Sequence, residues 1–462
     1  MSADNETSPN RRSDALFFLA AIVVGALAGV VGTALHLGVN EALAWPTLLK
    51  SGLDQAGVAI GDGGLLLLTG CISALMVLAS VWLVRNFAPE ASGSGVQEIE
   101  GAMVGLRQVR WRRILPVKFV GGFLSLSSGL VLGREGPTIH LGASIAQAAS
   151  QWLKLPTKDG YALLAAGGAA GLAAAFSAPL ASILFVIEET RRQFPYSLKT
   201  YTGVMFACVM SGIVTQELAG VRPFMAIDVP VTPLGLLPAF VGLGVVLGVA
   251  GVVFNSCLVR SMDFARALGN RSSFYIFPAL AGFAVGILLV LNPDATKGGE
   301  TLVVSMATAN LALTSVAVIV LIRFVMTMIS YSTGVPGGIF APILALATAM
   351  GLLYGLILEA ALPLPPGAVM ALGVAAMGGL FASTIRAPLV GVVLIAELTG
   401  SYDVLLPTLI TAMVANIVAD WLGGRPIYEV LLERTLRQAG ETPPAPIEQP
   451  QTGQRIGGWD QR

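Results

Sequence analysis

The chain predicts an all-α polytopic membrane protein with two inverted-topology repeats of broken and tilted helices. Three observations carry that expectation: apolar runs long enough to cross a bilayer, a scarcity of charge, and a set of short motifs that occurs twice. Of the 462 residues, 55% are hydrophobic and 12% are Asp, Glu, Lys or Arg, against about 25% charged in soluble domains. An ordinary globular enzyme is excluded. Lys and Arg number 27 and Asp and Glu also 27, so the overall charge offers no basic surface to a nucleic acid and none is expected as a partner.

Runs such as Ala15–Val39, Gly64–Val84 and Leu311–Ile322 supply the spans. A helix needs about 20 apolar residues to cross ~30 Å of hydrocarbon, and the chain holds around a dozen such segments. The first run is too long for a signal-peptide core and lacks a small-residue cleavage site, so it is expected to remain as the first helix. The expected organisation is a polar cytoplasmic N-terminus over 1–14, a transmembrane unit over 15–437 with repeat halves near 15–220 and 230–437, and a disordered tail rich in Pro and Gln over 438–462. Basic residues in short loops stay cytoplasmic. Arg11 and Arg12, the cluster Arg107, Arg110, Arg112 and Arg113, the pair Arg191 and Arg192, and Arg425, Arg434 and Arg437 therefore place both termini in the cytoplasm. Cys71, Cys208 and Cys257 are widely spaced and read as small core residues, not as a disulfide or zinc set. No metal or cofactor is expected. His36 and His140 read as satisfied core or interface histidines.

Comparing the chain with itself exposes the duplication. Lys118-Phe-Val-Gly-Gly-Phe-Leu-Ser-Leu-Ser-Ser-Gly-Leu-Val-Leu-Gly-Arg-Glu-Gly-Pro137 runs in register with Arg323-Phe-Val-Met-Thr-Met-Ile-Ser-Tyr-Ser-Thr-Gly-Val-Pro-Gly-Gly-Ile-Phe-Ala-Pro342. Ala178-Pro-Leu-Ala-Ser-Ile-Leu-Phe-Val-Ile-Glu-Glu-Thr190 runs beside Ala387-Pro-Leu-Val-Gly-Val-Val-Leu-Ile-Ala-Glu-Leu-Thr399. In both copies a Gly and Pro cluster breaks an apolar helix, and the next helix starts near the Pro. Broken helices survive in a bilayer only where protein or a cavity covers them, and matching breaks in two halves point to a transport site near the midplane. Each helix N-terminus carries free N–H groups and about half a positive charge. Several converging there make an anion site that holds its ligand moderately, without a buried cation to trap it.

Four motifs then occur in order: Gly93-Ser-Gly-Val-Gln-Glu-Ile-Glu-Gly101, Gly133-Arg-Glu-Gly-Pro137, Gly338-Ile-Phe-Ala-Pro342, and Tyr428 within Gly423-Gly-Arg-Pro-Ile-Tyr. Over about Ala15 to Arg437 the chain resembles the CLC family of chloride channels and chloride/proton exchangers. The resemblance implies anion binding by Ser94, Tyr428 and the backbone N–H groups of Ile339 and Phe340, with a further outer site around Arg134 to Gly136. It implies that Glu135 is the gating residue and external proton acceptor, and that Glu189 is the internal proton-transfer acid typical of exchangers. Gly93, Gly95, Gly133, Arg134, Gly136, Pro137, Gly338, Ala341 and Pro342 would support those motifs.

Exchange of chloride for protons is thus the expected activity, with a passive chloride channel of the same family as the alternative and a membrane-embedded enzyme disfavoured. Fluoride-selective members alter the Ser motif and the Pro of the gating motif, and nitrate-preferring members carry Pro where Ser94 stands, so chloride is the expected anion. The chain departs from the family pattern at Gln97, where Pro is usual. Lys118, Glu100, Arg323, Arg386 and Glu397 read as structural charges, with Arg323 as the mirror of Lys118 in the repeat. The family implies a homodimer. With no room after Arg437 for nucleotide-binding modules, a bacterial inner-membrane location is expected.

Overall fold

The computed structural model describes residues 11–58, 60–189, 197–220, 225–227, 229, 232–269, 274–308 and 312–441. Arg191 and Arg192 and all but the first residues of the expected tail lie outside them. The described residues form eighteen α-helices: α1 (Arg11–Ala42), α2 (Trp45–Gln55), α3 (Asp62–Phe87), α4 (Val96–Met103), α5 (Trp111–Ser127), α6 (Glu135–Trp152), α7 (Thr157–Phe176), α8 (Pro179–Glu189), α9 (Leu198–Ala219), α10 (Leu237–Leu268), α11 (Ile276–Leu291), α12 (Glu300–Thr308), α13 (Leu313–Ser332), α14 (Phe340–Ala361), α15 (Ala368–Ile385), α16 (Pro388–Thr399), α17 (Leu405–Trp421) and α18 (Ile427–Ala439). Among the described residues eight helices are long and apolar enough to cross a membrane, and α11, α16 and α17 are shorter apolar helices.

Two ends differ from the sequence expectation. The first helix begins at Arg11, four residues before Ala15, and takes Asp14 into its first turn, where a carboxylate complements the helix dipole. The last runs past Arg437 to Ala439, where Gly440 adopts the left-handed C-cap conformation.

Outward faces of α1 and α10 are apolar and exposed, as at Leu19, Val23, Val245 and Val249, whereas α7 and α15 lie in the interior. Small residues permit that interior packing. A Cβ at Gly142 of α6 would lie 2.1 Å from the Gly167 carbonyl oxygen of α7, so the two backbones meet directly. Cys208 is buried, as expected, but Cys71 is exposed on α3. On a lipid-facing helix a thiol behaves as a small apolar group, so no core position is required.

The duplication governs the packing. Helices α6 and α7 pair as α14 and α15 do, α1 lies on α7 and α9 as α10 lies on α15 and α17, and α3 meets α11 while α8 meets α16. Individual bonds follow the same register. Lys118 donates to the carbonyls of Ala91 (3.0 Å) and Gly93 (2.7 Å). Arg323 donates to the equivalent carbonyls of Thr296 (3.1 Å) and Gly298 (2.8 Å), and also to Asp294 and Lys297. Both cations are fully buried, and their charge holds the two loops that precede α4 and α12. Arg323 is the structural mirror that the repeat implies.

Helices α8 and α16 show the inversion most directly. Glu397, near the end of α16, accepts the N–H groups of Leu180 (3.1 Å) and Ala181 (2.7 Å) at the start of α8. Glu188, near the end of α8, accepts those of Leu389 (3.1 Å) and Val390 (2.8 Å) at the start of α16. The two helices are therefore antiparallel, and each satisfies two orphan donors of the other.

Helix α18 is held by charge at its surface. Arg425 pairs with Glu429 (2.9 Å) and Glu433 (2.8 Å), Arg434 pairs with Asp263 (2.7 Å), and Arg437 also pairs with Glu433. Partial burial pushes the Glu433 carboxyl up, but the bonds from Arg425 and Arg437 outweigh it and hold the group below the usual carboxylate range.

Two outcomes follow from these contacts. Replacing Glu188 or Glu397 by Ala removes a two-donor cap and should cost about 1 kcal/mol or more, read as a lowered unfolding midpoint in detergent, with Gln recovering part of the loss because its carbonyl still accepts. Because the folded-state pKa of Glu433 is depressed, its contribution is present above the usual carboxylate range and lost as pH falls through it. Glu433→Gln should thus unfold at a lower temperature than the parent at pH 7, and the difference should shrink as pH falls through the usual carboxylate range and vanish only below the depressed folded-state value; a gap unchanged by acid would contradict the assignment.

Candidate functional site

Three loops that interrupt the helices are stitched together in the interior. Gly93 N–H donates to the Val335 carbonyl (3.0 Å), and Gly337 N–H donates to the Gly93 carbonyl (3.0 Å). Gly133 and Gly338 exchange both of their bonds, at 2.8 and 2.6 Å. The starts of α4, α6 and α14 are thereby fixed beside one another. Ser125 hydroxyl donates to the Pro336 carbonyl (2.5 Å), and the Ser330 hydroxyl accepts from Val131 N–H (3.0 Å), which ties the preceding helices α5 and α13 to the opposite loop.

Ser94 sits between Gly93, at φ +61°, and Gly95, at φ +88°. Those left-handed conformations are open to Gly at no steric cost, which explains why this Ser carries a Gly on each side. Gly95, not Ser94, caps α4, and no side chain bonds the cap. The Ser94 hydroxyl is fully buried and has no hydrogen-bond partner among the described residues. The Tyr428 hydroxyl, on the first turn of α18, is in the same condition. Tyr428 lies within electrostatic reach of Glu135, Glu189 and Tyr331, and its hydroxyl lies near that of Ser94. Two buried O–H donors beside the starts of α6 and α14 are suited to an anion.

Glu135 begins α6 and is fully buried. One carboxylate oxygen accepts the N–H of Phe340, the first residue of α14, at 2.6 Å, and the other has no partner among the described residues. Glycines make the approach possible. A Cβ at Gly338 would fall 2.0 Å from one carboxylate oxygen, a Cβ at Gly133 2.0 Å from the other, and a Cβ at Gly136 2.7 Å from the Ser94 Cα. Ile339 is the N-cap residue of α14, while Ala341 and Pro342 complete its buried first turn as Gly136 and Pro137 complete that of α6. The Phe340 ring is wedged against Phe381, Phe185 and Tyr428, with centroids 5.0, 5.6 and 5.8 Å away. That cluster fixes the N–H that Glu135 uses.

The neighbouring Arg134 is buried, approaches Glu300 at 3.6 Å and donates to His36. Glu98 of the first motif pairs with Arg107 (2.8 Å), and Glu90 pairs with Arg110 through two bonds of 2.7 Å, so both acids serve the loop rather than the ligand. Glu189 ends α8 partly buried. Its neighbour Glu188 is committed to the start of α16, and this separates the two acids that the sequence leaves side by side. His140 differs from expectation. It is fully buried, but neither ring nitrogen has a partner among the described residues, because the ring lies against the backbone of Gly95, where no side chain is available.

Tyr331 enters the site without belonging to any of the four motifs. It is buried on α13, and its hydroxyl accepts the Ser94 N–H at 3.4 Å. The signal available in the sequence was the register of the repeat, which sets Tyr331 against Leu126 in a run that otherwise matches closely.

The family model described as "Voltage gated chloride channel" matches residues 75–420. Among curated proteins, the H(+)/Cl(-) exchange transporter ClcA of Salmonella schwarzengrund is 40% identical over 431 residues, covering 91% of this chain and 89% of the relative. Among solved structures, a slow cyanobacterial Cl-/H+ antiporter matches with a TM-score of 0.87 at 37% identity, over 92% of this chain and 99% of that one. A eukaryotic CLC transporter shares the fold with a TM-score of 0.75 at 23% identity, over 91% and 74% of the two chains. The two copies of the broken helix, the loops stitched between them and the match along most of the chain lead to one family: this is a multi-pass membrane protein of the CLC family.

Proposed function

We propose that the protein exchanges chloride for protons across the membrane, binding chloride through Ser94, Tyr428 and the N–H groups of Ile339 and Phe340. The observation that carries this reading is the Glu135 carboxylate resting on the Phe340 N–H, between two glycines where a Cβ would collide with it and beside the buried hydroxyls of Ser94 and Tyr428. A carboxylate bonded to a helix N-terminus occupies the position an anion would take. When Glu135 is ionised it competes with chloride for that N–H. When protonated it loses the charge that holds it there, and chloride can bind in its place. One residue thus gates the anion and carries the proton on the outer side.

Glu189, within electrostatic reach of Tyr428, supplies the second acid, the role that the resemblance implies for it. Its neighbour Glu188 instead accepts two N–H groups at the start of α16. The printed activities of the ClcA relative and the cyanobacterial neighbour support exchange over the channel alternative. A transporter also fits better than an enzyme, since the relative and the structural neighbour are named for exchange and antiport. The homodimer, the bacterial inner membrane and cytoplasmic termini belong to this proposal as the family and the basic loops imply them.

In liposomes an imposed chloride gradient should drive protons uphill, and chloride flux without proton movement would make the protein a channel instead. Glu135→Gln and Glu189→Gln should each abolish proton movement while chloride still passes. Coupling retained in the Glu189 variant would show that another acid performs the inner transfer.

A further inference from the structure

Tyr331 touches the Ser94 loop yet has no task in the proposed mechanism. Its ring is 3% exposed, and its hydroxyl accepts the Ser94 N–H at 3.4 Å. A phenol has one proton to donate as well as lone pairs to accept with. Having accepted from Ser94, it retains an O–H for which no described residue supplies an acceptor. Buried donors seldom stay unpaired, and an apolar interior makes an unmet one costly.

The surroundings give that proton a destination. Tyr331 lies in electrostatic reach of Glu135 and Tyr428, two residues of the proposed anion site. Gly93 leaves room for the phenol: a Cβ there would come 3.2 Å from the Tyr331 hydroxyl. Packing does not require the hydroxyl either. The repeat places a buried Leu126 at the equivalent position of α5, so an aliphatic side chain fills this register in the other copy.

We propose that Tyr331 is a third hydroxyl of the anion site, accepting the Ser94 amide hydrogen and presenting its own O–H to the anion alongside Ser94 and Tyr428. The assignment rests on the proposed anion site. An added O–H donor favours a compact anion that accepts strong hydrogen bonds over a diffuse one, so Tyr331 should raise preference for chloride over thiocyanate.

The test is calorimetric titration of chloride, and separately of thiocyanate, into chloride-free protein in detergent, for the parent and for Tyr331→Phe, Ser94→Ala and Tyr428→Phe. Tyr331→Phe keeps the ring and loses only the hydroxyl, so the fold should hold; an unchanged unfolding midpoint confirms it. Chloride binding should weaken roughly fivefold, and thiocyanate binding should change less. Parent-like chloride binding in Tyr331→Phe, while Ser94→Ala and Tyr428→Phe are impaired, overturns the assignment and leaves the site standing. Equal weakening of both anions also overturns it, since a hydroxyl that donates to the anion should favour the compact acceptor. If all three variants bind chloride as the parent does, the anion site itself is misplaced.

Discussion

The structure depends on the reciprocal backbone bonds between Gly133 and Gly338. Non-helical backbone at membrane depth must satisfy its polar groups within the protein, because lipid offers none. Here one broken helix meets the donors and acceptors of the other. The second bridge, between Gly93 and the strand-like segment at Pro336, draws in the loop before α4. Breaks that would each be unfavourable alone become mutually required, and the helix starts that they expose converge at one place. Remove the bridges and α6 and α14 would have no reason to aim their N-termini at each other.

Full positive charge near that focus is engaged elsewhere. Lys118 and Arg323 donate to carbonyl oxygens of the flanking loops, and Arg134 is matched by Glu300. What Glu135 touches is partial: an amide hydrogen at the start of α14. A buried ammonium or guanidinium would hold a monovalent anion with a Coulomb energy that low dielectric amplifies, and release would be slow. The charge-poor composition, with 27 residues of each sign in 462, is consistent with an electrostatic site built mainly from dipoles.

Much of this was legible before any coordinates. Hydropathy gave the spans, Gly and Pro clusters mark where the chain leaves helical geometry, and the resemblance of four ordered motifs to the CLC family singled out Ser94, Glu135, Phe340 and Tyr428. Less visible were bonds made by acids whose sequence context is plain. Glu188 and Glu189 are adjacent and chemically identical, and only the packing of α8 on α16 assigns the first to a helix start. Glu397 reads as a structural charge, but the sequence does not show which groups it holds, the two N–H donors at the start of α8. His140 reads as a satisfied core histidine, yet its ring faces a glycine backbone that offers it nothing. Tyr331 could have been singled out by asking where the two copies disagree, not only where they agree.

That question also explains the chemistry. Glu135 and Phe340 stand 205 residues apart, the same interval as Gly133 and Gly338 and as Lys118 and Arg323, so the carboxylate and the N–H that it grips are equivalent positions of the two copies. A strictly symmetric pair would place two acids, or two phenylalanines, across the axis. Two carboxylates at this separation would repel and oppose joint ionisation. Two apolar residues would leave helix dipoles with nothing to gate them. Divergence at this register gives one copy the acid and the other the donor that holds it, and Tyr331 against Leu126 repeats the pattern in the last turn of the preceding helix. The symmetry brings the two helix starts together; the asymmetry between them is what the proposed competition of a proton and an anion for the same amide requires.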